Sequence, residues 1–172
     1  MPTRLLTLDD VPALTELLHR NREHLAASSP PHRGEDWFTP ERQHEVAVQA
    51  LAEHEAGRRV PMVILDAAGE LAGTLNLNSI IRGAFQSASV GYWVSADRTG
   101  QGLATAAVAD ALALAFGPLA LHRVQGETQP ANLASQRVLL RNGFVEYGRA
   151  PQYLHLGGAW RDCVLFQRLS TD

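Results

Sequence analysis

Gly100, Gln101 and Gly102 stand between an apolar run that ends at Val94 and an alanine-rich stretch that stops at Gly117 and Pro118. A strand that feeds a short glycine turn and then a helix leaves several backbone N–H groups without partners at the positive end of the helix dipole. Such a turn attracts a phosphate or pyrophosphate. Further along, Asn132 and Ser135 open a second helical stretch that ends before Gly143 and Phe144. Each piece also has a plainer reading. Glycine turns are common packing devices, and Asn132 and Ser135 can serve only to cap their own helix. The turn lacks the lysine and spacing of a P-loop. A dinucleotide fingerprint would need an earlier strand–turn–helix unit with an acidic residue about twenty positions on.

The elements that must position these residues follow from periodicity and breakers. Residues 3–8 read as an edge strand, and Asp9 or Asp10 caps a helix running through Val11, Leu14, Leu17, Leu18 and Leu25. A polar stretch with breakers, residues 28–36, precedes a helix that opens at Pro40 and ends near Gly57. Residues 60–66, 70–81 and 85–94 read as three consecutive antiparallel strands, turned at Gly69 and Gly83. The spacing predicts a helix over 102–116 that packs Leu103, Ala107, Ala111 and Leu114 on the sheet. A strand over 121–128, a helix over 132–142 and a hairpin of 144–156 with 160–169, turned at Gly157 and Gly158, complete the chain.

The 172 residues fit one domain over 1–172, enough to bury about two thirds of the unfolded surface without disulfides or metals. A hydrophobic fraction of 45%, 19% charged residues and a net charge of −3 are those of an ordinary globule and give no broad attraction to nucleic acid or anionic membrane. Every basic side chain apart from histidine is arginine. Cys163 is the single cysteine, so a disulfide framework is excluded and no metal site is expected. Its apolar strand makes it a core residue rather than a nucleophile. The start lacks a signal-peptide apolar core, and no run approaches the ~20 apolar residues of a membrane span, so a cytoplasmic location is expected.

The order strand, R/Q-x-x-G-x-G/A turn, helix, strand, N-x-x-S, helix, G-F resembles the GNAT superfamily of acetyl-CoA-dependent N-acetyltransferases. Residues 78–85, 91–94, 101–104, 122–124, 132–144 and 153–162 carry the likeness. They resemble more narrowly the RimJ/RimL branch, the ribosomal-protein-alanine N-acetyltransferases. One departure is visible: the Arg or Gln that begins the family's turn falls on Thr99 here, with Arg98 one place earlier. The resemblance implies an α/β single-domain fold with a mixed, mostly antiparallel seven-stranded sheet. That sheet is splayed between strands 4 and 5, where the strand ending at Val94 parts from the one at Leu121, and is flanked by about four helices.

It further implies that Tyr92, Trp93 and Val94 offer backbone groups to the pantetheine arm of acetyl-CoA. Gly100, Gln101, Gly102, Leu103, Ala104 and Thr105 would wrap the pyrophosphate, with Arg98 and Thr99 beside them. Asn132 would bond the pantetheine end, and Ser135 would lie near the sulfur, where its hydroxyl can stabilise or protonate the departing thiolate. A primary amine would attack the thioester directly, with a backbone N–H near Val94 on the oxyanion and no covalent enzyme intermediate.

The base is less legible. RimL-side relatives carry a glutamate in the strand after Gly-Phe, whereas residues 151–156 here hold no carboxylate. Glu127 is one candidate, and Tyr153 or His155 can relay a proton through water; each also has an ordinary role on a sheet or hairpin. A peptide α-amine, with a pKa of about 8, is on the order of one tenth neutral at pH 7, against about one part in several thousand for lysine. An enzyme without a strong base is therefore expected to prefer α-amines. Glu35, Asp36 and Trp37, in the loop that lines the acceptor side of this fold, can bind a cationic amine. Asn76, Asn78, Arg82 and Phe85 can face the same acceptor. A protein N-terminus, with a ribosomal protein as one candidate, is the expected partner. A small-molecule amine is the alternative, and a non-catalytic acetyl-CoA sensor the rival of another class. A homodimer is compatible with an exposed sheet edge or helix, but the sequence names no surface for it.

Overall fold

Local hairpins build the first half of the sheet, and one helical crossover joins it to the second. The computed structural model describes residues 2–28 and 34–170, so residues 29–33 of the polar stretch expected over 28–36 lie outside it. Strand β1 (Thr3–Leu5) is shorter than its sequence suggests. Asp10 accepts the Thr7 amide at 2.8 Å and two Arg4 nitrogens at 2.6 and 2.7 Å, which draws Leu8–Asp10 into a 3-10 turn.

The first helical stretch is two helices, α1 (Val11–Arg20) and α2 (Arg22–Ala26). Asn21 lies at the break, only 4% exposed, giving Nδ2 to Leu17 O at 2.8 Å and to Ser95 Oγ at 2.9 Å. Its Oδ1 accepts the Ala96 amide at 2.8 Å. This break raises the helix number to five, the others being α3 (Pro40–Glu55), α4 (Leu103–Phe116) and α5 (Leu133–Arg141). Thr39 caps α3 through the Arg42 amide at 3.3 Å, with proline following at the first helical position.

The remaining strands are β2 (Val60–Leu65), β3 (Leu71–Ile81), β4 (Ser87–Val94), β5 (Arg123–Thr128), β6 (Val145–Leu156) and β7 (Ala159–Leu169). They form one seven-stranded sheet in the order β1-β2-β3-β4-β5-β7-β6. Every pairing is antiparallel except β4 with β5, which α4 connects. Strand β5 begins later than residue 121, because the Leu121 amide closes the end of α4 on Ala115 O.

Helix α4 packs Ala107, Val108, Ala111 and Ala115 against one face of the sheet with no exposure, together with Leu75, Leu77 and Val124. Small side chains let the helix sit close to the strands, and each large aliphatic buried there contributes roughly 1.5–3 kcal/mol. Helices α1 and α3 cover the other face over β2 and β3, around Leu14, Leu18, Ala47 and Val63. Among the described residues no helix is long and apolar enough to cross a membrane.

The feature that matters for chemistry is a missing pairing. Strands β4 and β5 pair only at Ser87 with Arg123, Ala88 with Val124 and Ser89 with Gln125, although both run further. Beyond Ser89 they part. The Ser95 amide bonds Ala72 O at 2.8 Å on the β3 side. Because amide directions alternate along a strand, those of Val94 and Tyr92 point into the gap.

Candidate functional site

At the open end of the gap the chain turns through Ala96–Arg98 and enters α4 by way of Gly100 and Gly102. Both glycines hold left-handed backbone, φ +77° and +79°, which a residue with a Cβ adopts only under strain. A Cβ at either would meet nothing within 4 Å, so the space beside the turn is clear. The first backbone bond of α4 runs from the Ala106 amide to Gly102 O at 3.0 Å. The amides of Leu103, Ala104 and Thr105 therefore have no acceptor inside the helix. With the glycine turn they make a row of donors at a helix N-terminus, the arrangement that binds a diphosphate.

The charged neighbours of this cradle are already engaged. Arg98 Nε donates to Asp66 Oδ2 and its Nη1 to Asp97 Oδ2, each at 3.2 Å. Asp66 is held below the usual carboxylate range, first by the Glu70 amide and then by the Ala68 amide and Arg98. Thr99 turns its hydroxyl back to Ala96 O at 2.9 Å, while Gln101 is exposed. The donor set that remains for an anion is the backbone itself.

Deeper in the gap the Tyr92 hydroxyl lies 2.9 Å from Ser135 Oγ and also donates to Ser135 O at 3.2 Å. Burial pushes the Tyr92 phenol up to about 12, partly offset by the Ser135 contact, so it stays protonated. Asn132 caps α5 by accepting the Ser135 amide on Oδ1 at 3.1 Å, and its Nδ2 remains available for other partners. Nothing in the sequence pointed to the Tyr92 side chain. The one signal was a polar-tipped residue between Val90 and Val94 on an apolar strand.

The opposite face of the gap carries a second pair. Ser89 Oγ donates to Glu127 Oε2 at 2.7 Å where the strands part. Side chains alternate along β4, so Ala88, Val90, Tyr92 and Val94 face α4, and Ser89, Gly91 and Trp93 face the other way. The hydroxyl pair and the carboxylate pair thus flank the gap from its two sides.

Gln125, Glu127, Cys163, Leu165 and Gln167 share the Glu127 face by register. Gln125 Nε2 donates to Tyr147 Oη at 2.7 Å. Tyr153 is raised above its ordinary value by burial first and then by the Glu127 charge. Cys163 is buried, its thiol raised chiefly by that burial and next by Glu127. Asn78 pairs with Ser89 and so borders the same face. Asn76 accepts Arg59 Nη2 at 2.9 Å, and Trp37 is buried with its carbonyl bonded by Gln43 Nε2 at 2.6 Å.

Several candidates are placed elsewhere. Arg82 donates to the Leu119 carbonyl and to Gln86 at 3.4 Å, tying down the turn after α4 at the end of the sheet away from the cradle; Phe85 is at that end too. His155 stacks on Trp160 at 5.2 Å, and by register both face away from Glu127. Glu35 is paired with Arg22 at 2.6 Å, and Asp36 is exposed. Among the described residues, no group of three or more His, Cys, Asp or Glu is arranged to hold a metal.

The family profile described as acetyltransferase (GNAT) domain matches residues 3–145. The probable N-acetyltransferase YjcK of Bacillus subtilis is 34% identical over 141 residues, 81% of this chain and 78% of its own length. The [ribosomal protein uS5]-alanine N-acetyltransferase of Escherichia coli is 33% identical over 103 residues. That match takes in 60% of this chain and only about half, 53%, of the enzyme. The solved structure of Mycobacterium smegmatis RimJ in complex with CoA-disulfide superposes with a TM-score of 0.93 at 33% identity, covering 98% of this chain and 81% of that one.

Proposed function

We propose, for a chain that belongs to the acetyltransferase (GNAT) family and is an acetyl-CoA-dependent N-acetyltransferase, that the acceptor is the N-terminal α-amine of a protein, with a ribosomal protein beginning in alanine as the first candidate. The residues present fit the cofactor: the clear space at Gly100 and Gly102 and the free amides of α4 suit a diphosphate, and the Tyr92 and Val94 amides in the gap suit a pantetheine arm. When bound, acetyl-CoA supplies an activated acetyl thioester.

The division of labour follows from the two faces. Glu127 takes up the proton that the incoming ammonium must lose, and Ser89 holds the carboxylate in place. On the α5 side Ser135 Oγ would stabilise the charge on the departing sulfur by a hydrogen bond, with Tyr92 OH bonded to it and unable to ionise at working pH. Asn132 fixes the first turn of α5 and with it the height of Ser135. The Val94 amide is the backbone donor for a developing oxyanion.

The single observation that supports the acceptor reading is that Glu127 stays partly exposed among the described residues. Helices α1 and α3 pack over β2 and β3, and on the far side of Glu127 the end of α2 meets the sheet through Ala27 O and Gln129 Nε2 at 3.3 Å. A partly exposed carboxylate at the parting of two strands leaves room for a chain end to approach. The proposal takes residues 1–172 as one domain working in the cytoplasm, where ribosomal proteins are made. The experiment is thiol release from acetyl-CoA with peptides beginning Ala, Ser, Met or Gly beside a panel of small amines. Transfer to peptide α-amines supports the reading; turnover confined to small amines overturns it.

A further inference from the structure

A cavity of about 260 Å3 lies between α1, α3 and the sheet, and the chemistry derived above makes no use of it. Leu14, Leu18, Trp37, Met62 and Trp93 give it apolar walls, and Gln43, Arg59 and Asn76 give it one polar side. An apolar cavity of about 150 Å3 holds a benzene ring. This one has room for an aromatic side chain.

Its position relates it to the acceptor. Ser89, Gly91 and Trp93 project from the same face of β4. Asn76 pairs with Gly91 and Asn78 with Ser89, so the polar side of the cavity lies one register step, about 7 Å, from the Ser89–Glu127 pair. Between that pair and Trp93, β4 presents only Gly91, and the Asn78 amide lies over it, 3.5 Å from where a Cβ would stand, so the path runs past a polar side chain. Consecutive Cα atoms of a peptide are about 3.8 Å apart. A chain end with its amine at Glu127 therefore brings its second residue to the cavity mouth.

The lining also restricts what enters. Arg59 is held by Asn76 Oδ1 at 2.9 Å and by Glu53 at 3.5 Å, so a cationic guanidinium is fixed in the wall. Gln43, 3% exposed, spends Nε2 on Trp37 O and keeps Oε1 without a partner among the described residues. A basic side chain would meet the Arg59 charge, whereas an uncharged one meets mostly carbon.

We propose that this cavity receives the side chain of the acceptor's second residue and selects an apolar or aromatic one there. The inference rests on the N-terminal-amine reading above. The test is kcat/KM for peptides Ala-X with X as Gly, Leu, Phe or Lys, on wild type and on the cavity-filling variants Ala47→Leu and Ala50→Leu, with Tm measured to establish folding. In wild type Leu and Phe exceed Gly by about tenfold or more, and Lys falls below it. In a folded filled variant the preference shrinks to within about twofold while Ala-Gly turnover stays near wild type. Equal rates for all four peptides in wild type overturn this proposal alone, as does a preference that survives filling. Acetylation of small amines with no transfer to any peptide overturns the acceptor reading, and this proposal with it.

Discussion

The Tyr92 hydroxyl and Ser135 Oγ, 2.9 Å apart, join the middle of β4 to the first turn of α5 across the gap where β4 and β5 stop pairing. Tyr92 therefore holds Ser135 at two points, donating to its carbonyl and sharing a hydrogen bond with its hydroxyl. Removing those contacts by Tyr92→Phe is expected to lower kcat by about tenfold to a hundredfold by letting Ser135 shift, with KM for acetyl-CoA little changed. Ser135→Ala is expected to cost about as much, and the double variant no more than the worse single one. Additive losses in the cycle would show that the two hydroxyls act separately. Since Tyr92 is pushed up to about 12, no falling limb of the rate profile below about pH 10 should move in Tyr92→Phe.

Glu127 is expected to matter to turnover and not to cofactor binding. Glu127→Gln should reduce kcat/KM for a peptide by about a hundredfold or more, while the Kd for CoA by calorimetry stays within about twofold. Ser89→Ala, which only releases the carboxylate, should cost severalfold. A Glu127→Gln protein with undiminished transfer would remove the carboxylate from the mechanism.

Much of this arrangement was legible in the sequence because it depends on local chemistry. Gly100 and Gly102 announced the left-handed turn that the cradle needs, and Gly157 with Gly158 announced the last hairpin. The break at Asn21 was not legible, since its cause is Ser95 at the end of β4, far along the chain. Arg82 illustrates the converse. Its strand and turn were readable, but which end of the sheet that turn occupies depends on the crossover through α4. Tyr92 was read for its backbone alone, because its side chain acquires meaning only when α5 is packed beside β4. The cavity beside Trp93 belongs to the same class: its walls come from α1, α3 and three strands, and no spacing within one segment reveals it.

The cradle itself can be tested at one atom. Gly102→Ala adds a methyl group to a residue at φ +79°, a conformation that costs a non-glycine residue roughly 1–3 kcal/mol. The expected result is a lower Tm together with CoA affinity reduced about tenfold, because the amides of α4 must shift to relieve the strain. Arg98→Gln, in contrast, should change CoA affinity by no more than a few-fold, since Asp66 and Asp97 already occupy the guanidinium. A loss of binding in Arg98→Gln as large as in Gly102→Ala would show that the arginine leaves its carboxylates to hold the phosphate.

The Asn21 connection predicts a coupling between the helices on the acceptor side and the cradle. Asn21→Ala removes the donor to Ser95 Oγ, which keeps its own bond to Asp97, and leaves the Ala96 amide without its acceptor just ahead of the glycine turn, at a cost of about 1–3 kcal/mol. Stability by denaturant melt should fall by that amount. Because the lost bonds anchor the entry to the cradle, CoA affinity should weaken as well, and saturating CoA should restore part of the lost Tm. A variant with lowered Tm and unaltered CoA affinity would confine Asn21 to holding α1 and α2 together.

Acid stability offers the last test, and its sign is fixed by the carboxylates. Asp10 is held below the usual carboxylate range, first by its bond to the Arg4 side chain and then by the Thr7 amide and hydroxyl. A depressed carboxylate contributes stability above its unfolded pKa of about 4 and loses it as pH falls through the lower folded value. Wild-type Tm should thus drop steeply below about pH 4, and Asp10→Asn should start lower at pH 7 yet decline less on acidification. Arg4 is 46% exposed, so solvent screening keeps the ion-pair share of that difference small, and most of it comes from the Thr7 bonds that set the 3-10 turn. If the two Tm curves run parallel from pH 7 to pH 3, Asp10 does not set the acid limit and the cause lies with another carboxylate such as Asp66.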